Sequence, residues 1–373
     1  MKPLKIKHLY FLIFFLLLLV QAVRSQSIID KLLPVRAFCI GAPRPQNLPM
    51  FIQFVKEELP LNNINTLILR IDYRYQFEGH PELSDSFSLS KLDVKELVNV
   101  CKQNNIQLIP QINLLGHQSW AGVTNKLLKV YPQFDETPQV IMPVIYAWPN
   151  TDSLYCKSYC TLHPDLHKIV FDLIDEICEV FETPAFHAGM DEVFYIGHPQ
   201  CVRCKGKDKA VLFAGEVNTI RNHLALKKRT LWIWGDRLIN GKMNGIGEWE
   251  GSFNNTESAI NLIKKDVVIC DWHYDKAEQT PVYFAKNGFS VISSTWRNPE
   301  VATAQTQDMA KFRKLAKPGV KKLYKGMMQT IWSNPYVFLE EYYAAKLSTD
   351  STGKTQANCF KAMAAAINKL SEK

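Results

Sequence analysis

The strongest constraint on this chain is an alternation repeated along most of its length, in which short apolar runs are separated by stretches with helical spacing. Eight such runs stand out, at 35–41, 66–72, 106–112, 185–189, 230–234, 267–271, 289–294 and 326–331. Most are continuously apolar rather than alternating, as in strands covered on both faces. Between them, HPDLHKIVFDLIDEICEVFE brings Val170, Ile174, Ile177, Cys178 and Phe181 onto one helical face, and comparable patterns cover 92–104, 210–227, 302–315 and 336–347. Strand and helix in alternation build a parallel sheet. Eight repeats in a chain of this length predict an α/β fold, a single (β/α)₈ TIM barrel over residues 26–373 with a long loop after strand 3. An open doubly wound sheet is the alternative, but it carries a glycine-rich phosphate turn after its first strand, and GAPRPQ lacks one.

In a barrel, the residues just after the strands converge on one face. Here those positions hold Asp72, Asn113 and His117, Asp191 and Glu192, Trp234 and Asp236, then Asp271, Trp272, His273 and Tyr274, Trp296 and Arg297, and Trp332 and Asn334. The segment 113–163 is too long for an ordinary βα loop, and insertions of that size are usually functional, so it is expected to wall the site.

The chain opens with Lys2, Lys5 and Lys7, an apolar run over 9–20 and small residues near Ser25. That order reads as a secretory signal peptide over residues 1–25, with an exported, periplasmic or extracellular mature chain. The run is shorter than the roughly 20 residues of a spanning helix, and no Cys follows the cleavage point to take a lipid, so the mature chain is expected to carry no membrane span. Residues 1–25 hold four basic and no acidic residues, so their removal lowers the formal charge from +8 to +4. A mildly basic chain of this kind is not expected to bind nucleic acid.

Nine Cys are unevenly placed. Cys39, Cys101, Cys178, Cys270 and Cys359 lie in apolar patterns, where Cys behaves as a small buried hydrophobe. Cys156 and Cys160, and Cys201 and Cys204, form C-x-x-x-C and C-x-x-C in polar, loop-like sequence. Two small disulfide loops, a pair of cross-bridges, one four-thiolate structural zinc site and free thiols all remain open for these four. No cofactor is expected for catalysis.

The sharpest local feature is Phe186-His187-Ala188-Gly189-Met190-Asp191-Glu192-Val193. Adjacent carboxylates at a strand end repel each other, so one of them tends to keep its proton. A protonated carboxyl beside an ionised one is what acid-assisted cleavage of a glycosidic bond requires.

At this strand the sequence resembles glycoside hydrolase family 20, the β-N-acetylhexosaminidases, whose fourth strand ends in His-x-Gly-Gly-Asp-Glu; Met190 stands in place of one Gly. Other ordered stretches resemble the family too. Leu108-Ile109-Pro110-Gln111-Ile112-Asn113-Leu114-Leu115-Gly116-His117 is similar to its third-strand pattern, and Thr161-Leu162-His163-Pro164 to its Leu-Asn-Pro. Val35-Arg36-Ala37 resembles the Arg-Gly that begins the barrel, and Ile331-Trp332-Ser333-Asn334 the eighth-strand Leu-Trp-x-Glu.

The resemblance implies exo-acting release of terminal β-linked N-acetylhexosamine from a glycan or glycoconjugate, with retention assisted by the substrate's own acetamido group. Glu192 would be general acid and then base, Asp191 would orient the acetamido group, and His117 would support Glu192. Asp72 is the nearest acid to orient His117, and Arg36 matches the Arg that binds sugar hydroxyls, its other role being a barrel-end ion pair. Trp234, Trp272, Trp296 and Trp332 offer aromatic faces for a sugar. Tyr274 is a candidate for the acetamido oxygen, although the family places its Tyr after the seventh strand, where this chain reads Trp296-Arg297-Asn298. Gln111, Asn113 and Asn334 replace customary acids, and the family's small α/β domain before the barrel is expected to be missing. These departures leave two alternatives: a glycosidase of the same fold for a modified amino sugar, and a catalytically silent glycan-binding barrel.

Overall fold

The structure, a computed structural model, describes residues 28–145, 155–348 and 352–371. The expected leader, residues 1–25, lies outside the described residues. Eight strands close into a parallel barrel: β1 (Val35–Gly41), β2 (Thr66–Arg70), β3 (Gln107–Leu114), β4 (Ala185–Gly189), β5 (Thr230–Trp234), β6 (Val268–Trp272), β7 (Ser290–Thr295) and β8 (Tyr324–Thr330). Each pairs with its chain neighbours, and closure comes from β1 against β8, with Val35 opposite Gly326 and Cys39 opposite Thr330. The α/β barrel read from the sequence is therefore the fold.

Side chains alternate across each strand, so one set fills the barrel and the other meets the helices. The interior set includes Ala37 and Cys39, Ile68, Ile109, Ala185, Trp232 and Trp234, Val268, Cys270 and Trp272, Ile292 and Met328. Tryptophans from β5 and β6 fill space left by small residues on β1 and β4, which gives a packed interior rather than a pore. Cys39 and Cys270 are part of this filling, and Cys101, Cys178 and Cys359 are equally buried outside it.

The helices are α1 (Leu48–Leu61), α2 (Lys91–Gln103), α3 (Leu166–Val180), α4 (Lys209–Leu226), α5 (Thr280–Lys286), α6 (Pro299–Leu315), α7 (Pro335–Leu347) and α8 (Gln356–Asn368). Their starts are written in the sequence. Ser90 and Asp93 form a reciprocal capping box on α2, while Asn298-Pro299 and Asn334-Pro335 each put a capping amide before a proline that needs no N–H partner. The fifth crossover departs from the repeat. Between β5 and β6 the chain uses a four-residue helix, Gly241–Asn244, and a 3₁₀ turn, Glu257–Asn261, that packs against α4.

The insertion after β3 carries secondary structure of its own. It holds a small hairpin, Ser119–Trp120 with Val123–Thr124, then a short helix, Lys126–Val130, and a 3₁₀ turn, Pro132–Phe134. Among the described residues no helix is long and apolar enough to cross a membrane.

Candidate active site

The end of β4 is shaped by backbone strain. Gly189 has φ +67°, and a Cβ there would fall 2.3 Å from Asn113 Oδ1, so only glycine lets the ends of β3 and β4 approach this closely. Met190 and Glu192 also have positive φ, at 69° and 48°, a conformation that costs a side-chain-bearing residue roughly 1–2 kcal/mol. Such strain persists where the surroundings over-determine it, commonly at functional turns. Its effect is to place both carboxylates above the barrel mouth. On the facing loop a Cβ at Gly116 would lie 2.6 Å from the Asp191 carbonyl oxygen, so this glycine lets the His117 turn sit against the pair.

His117 bridges the two acids. Its Nε2 lies 3.2 Å from Asp191 Oδ2 and 3.1 Å from Glu192 Oε2. Burial works against a charge on His117, but the Asp191 carboxylate and its neighbours outweigh it and hold the imidazolium well above its usual range. Burial likewise opposes the Asp191 charge, and the His117 cation outweighs it, so Asp191 titrates below an ordinary aspartate. The mutual repulsion expected of the adjacent carboxylates is thus moderated by a cation between them. Asp191 Oδ1 is buried without a hydrogen-bond partner among the described residues.

Beneath the pair lies Asp236. Its Oδ2 accepts the Glu192 backbone N–H at 2.9 Å and Arg237 Nε at 2.6 Å, and its Oδ1 accepts Trp272 Nε1 at 3.3 Å. Burial pushes its carboxyl up to about 6, against the pull of Arg237.

Above these groups opens a cavity of about 550 Å³. Trp272, Tyr274, Trp296 and Trp332 wall one side, Arg70 and Arg74 enter from β2 and its loop, and the insertion supplies Ser119, Trp120, Asn125 and Tyr155. The aromatic wall is braced internally. Trp332 Nε1 donates to the Tyr274 hydroxyl at 2.9 Å, and Trp296 Nε1 donates to Gln356 Oε1 at 2.9 Å.

A sequence profile described as "Glycosyl hydrolase family 20, catalytic domain" matches residues 64–358. The chain belongs to glycosyl hydrolase family 20. Among curated relatives, it is 25% identical over 243 residues to a lacto-N-biosidase of Bifidobacterium bifidum, covering 62% of this chain and 18% of that protein. It is 21% identical over 201 residues to hexosaminidase D of Bos taurus, covering 51% of this chain and 53% of that protein. The chain thus spans only part of the curated relatives it matches. In fold it is similar to a crystal structure of β-N-acetylhexosaminidase from Bacteroides fragilis, with a TM-score of 0.61 at 15% identity over 91% of this chain and 66% of that one.

Of the family 20 site residues expected from the sequence, Asn113, His117, Asp191, Glu192, Trp272, Tyr274, Trp296 and Trp332 line the cavity together. Four others do not. Arg36 is the second residue of β1, at the opposite end of the barrel, where it pairs with Asp30 at 2.9 Å and donates to the carbonyls of Leu33 and Asn63; the barrel-end ion pair is its place. Trp234 is fully buried, packed between His187 and Trp332 below the floor. Asp72 accepts the Asn113 backbone N–H at 2.8 Å and so braces a lining residue instead of orienting His117. Asn334 caps α7 by accepting the Tyr336 N–H, beside a neighbouring depression. Gln111 is buried below Asn113 and donates to its Oδ1 at 2.8 Å.

Besides Arg74, the guanidinium that does reach the cavity is that of Arg70, the last residue of β2. Its Nη2 donates to the Ile331 carbonyl at 2.7 Å, its Cζ lies 4.4 Å from the Trp332 ring centroid, and its Nε is buried with no partner among the described residues. A signal was present, since an Arg ending an otherwise apolar strand is unusual. Reading that strand two residues too long hid it. Ser119, Trp120, Asn125 and Tyr155 had no signal beyond lying in the insertion.

Of the loop cysteines, the C-x-x-C pair Cys201 and Cys204 stays together with Cys160, while the C-x-x-x-C pair is split. Cys156 Sγ lies 3.4 Å from the Glu192 carbonyl oxygen, away from the other three, so neither a four-thiolate site nor a Cys156–Cys160 loop is formed.

Proposed function

We propose that this family 20 chain is an exo-acting glycoside hydrolase that releases terminal β-linked N-acetylhexosamine by a substrate-assisted, retaining mechanism. The observation that carries the reading is the cluster of half-buried His117 with buried Asp191 and Glu192 at the floor of the cavity, with one Asp191 oxygen unpartnered among the described residues. In the first step Glu192 gives its proton to the glycosidic oxygen while the acetamido oxygen attacks the anomeric carbon from the opposite face. The carbon–oxygen bond to the leaving group breaks and an oxazolinium ion forms. Asp191 accepts the acetamido N–H and, as an ionised carboxylate, stabilises the positive charge that develops on that group. In the second step Glu192 takes a proton from water, which opens the oxazolinium ring with overall retention.

The aromatic wall suits the C–H faces of a sugar ring, and Arg70 offers donors to its hydroxyls. On this reading Arg70 takes the place first assigned to Arg36. A second reading, the same chemistry on a modified amino sugar, is favoured by the neutral Asn113 on the lining, which cannot hold a hydroxyl as an ionised acid does. The leader expected over residues 1–25 would make the enzyme an exported one.

The test is hydrolysis of aryl β-N-acetylglucosaminides and β-N-acetylgalactosaminides, with the anomer first formed read by proton NMR. Release of the β-anomer supports the mechanism. Turnover of neither substrate, or first release of the α-anomer, overturns it.

A further inference from the structure

Outside the cavity, a second cluster joins two segments that are distant in the chain. Glu136 and Cys160 come from the insertion after β3, and Cys201 and Cys204 from the loop between β4 and α4. One ligand atom from each lies within 4.8 Å of every other, and all four residues are buried. Cys160 Sγ is 3.3 Å from Cys204 Sγ and 3.6 Å from Cys201 Sγ. Bonded sulfurs would be about 2.05 Å apart, whereas thiolates at about 2.3 Å from a shared tetrahedral zinc stand roughly 3.8 Å from each other. The observed separations are close to the second geometry.

A further feature favours a cation. Glu136 is 1% exposed, and its Oε1 accepts the His198 N–H at 2.9 Å; among the described residues no Lys, Arg or His side chain lies within ion-pair distance. The nearby Lys157 is engaged by Asp135 instead. A carboxylate so buried and without a counter-charge is costly. A disulfide would use two of the three thiols and have no role for the carboxylate.

We infer that Glu136, Cys160, Cys201 and Cys204 form a structural zinc(II) site that ties the insertion after β3 to the loop following the Asp191–Glu192 pair. With all four positions taken by protein, such a site is closed and carries no catalytic water. Its consequence is mechanical. The insertion presents His117, Trp120 and Tyr155 to the cavity, and the loop begins at the carboxylates, so the metal fixes one wall against the other.

The test is metal analysis of the whole protein purified under reducing conditions, followed by replacement with cobalt(II). The expected result is one zinc per chain, and a cobalt form showing thiolate charge-transfer absorption with the visible bands of a tetrahedral ion. Cys201→Ser and Cys204→Ser lose both signatures, while Cys156→Ser keeps them. Should the two serine variants fail to fold, the native protein still decides the matter through its metal content and cobalt spectrum. Substoichiometric zinc with no cobalt uptake overturns the proposal. So does a disulfide from Cys160 to Cys201 or Cys204 in a peptide map of the untreated protein.

Discussion

Replacing Glu192 with Gln removes a proton donor and one of the two carboxylates that face His117, Asp191 remaining at 3.2 Å. The carboxamide has the shape of the carboxyl, and the backbone N–H bonded to Asp236 is untouched. A positioned general acid contributes about 10²–10⁴ in rate, or roughly 3–5 kcal/mol of transition-state stabilisation. That amount is needed only when the leaving oxygen cannot depart as an anion. Glu192→Gln is therefore expected to lose about 10²–10⁴ in kcat/KM on phenyl β-N-acetylglucosaminide and less than about tenfold on the dinitrophenyl compound, whose anion leaves unaided. Asp191→Asn is expected to lose about 10²–10³ on both, because stabilising the acetamido group is required whatever the leaving group. Steady-state kinetics on the two substrates, with thermal melts to confirm folding, separate these patterns. Equal losses by Glu192→Gln on both substrates would refute the assignment of the acid.

Three further outcomes follow from the packing and charges. Arg70→Met should raise KM more than it lowers kcat, with a loss of about 1.5–3 kcal/mol in kcat/KM for a charged hydrogen-bond donor to substrate; an unchanged KM would remove Arg70 from the binding wall. Gly189→Ala should lower the melting temperature, since positive φ costs roughly 1–2 kcal/mol and the Asn113 contact adds overpacking of about 1–3 kcal/mol; an unaltered melt would contradict the close approach of β3 and β4. His273 lies between Glu250 at 2.7 Å and Asp271 at 3.1 Å, and although burial opposes its charge these carboxylates raise it to about 10. A histidine raised in the folded state stabilises fully below its unfolded value near 6.5, and that contribution fades as pH climbs toward 10, on the order of 3–5 kcal/mol in total. Denaturant unfolding should therefore show the native protein losing more stability than His273→Gln over this alkaline window; parallel slopes would exclude the charged pair.

The sequence by itself determined the barrel, because strands buried on both faces leave continuous apolar runs and helices leave a 3.6-residue spacing, both of which are local. It also placed Asp191, Glu192 and His117 at strand ends that converge, and from there the aromatic wall of Trp272, Trp296 and Trp332 followed. The fifth crossover showed the limit of this reading, since a 3₁₀ turn packed on α4 leaves no helical period to recognise. What only the tertiary structure decided is which end of a strand a residue occupies and what reaches across to it. Arg36 and Arg70 both sit in apolar strands, but one is second in β1 and the other last in β2, so they face opposite ends of the barrel. Cys156 and Cys160 are four residues apart in one loop, yet the first meets the Glu192 carbonyl and the second meets Cys201, Cys204 and Glu136. Distances of that kind are set by how loops from different strands pack over the barrel mouth, and sequence spacing within one loop carries no record of it.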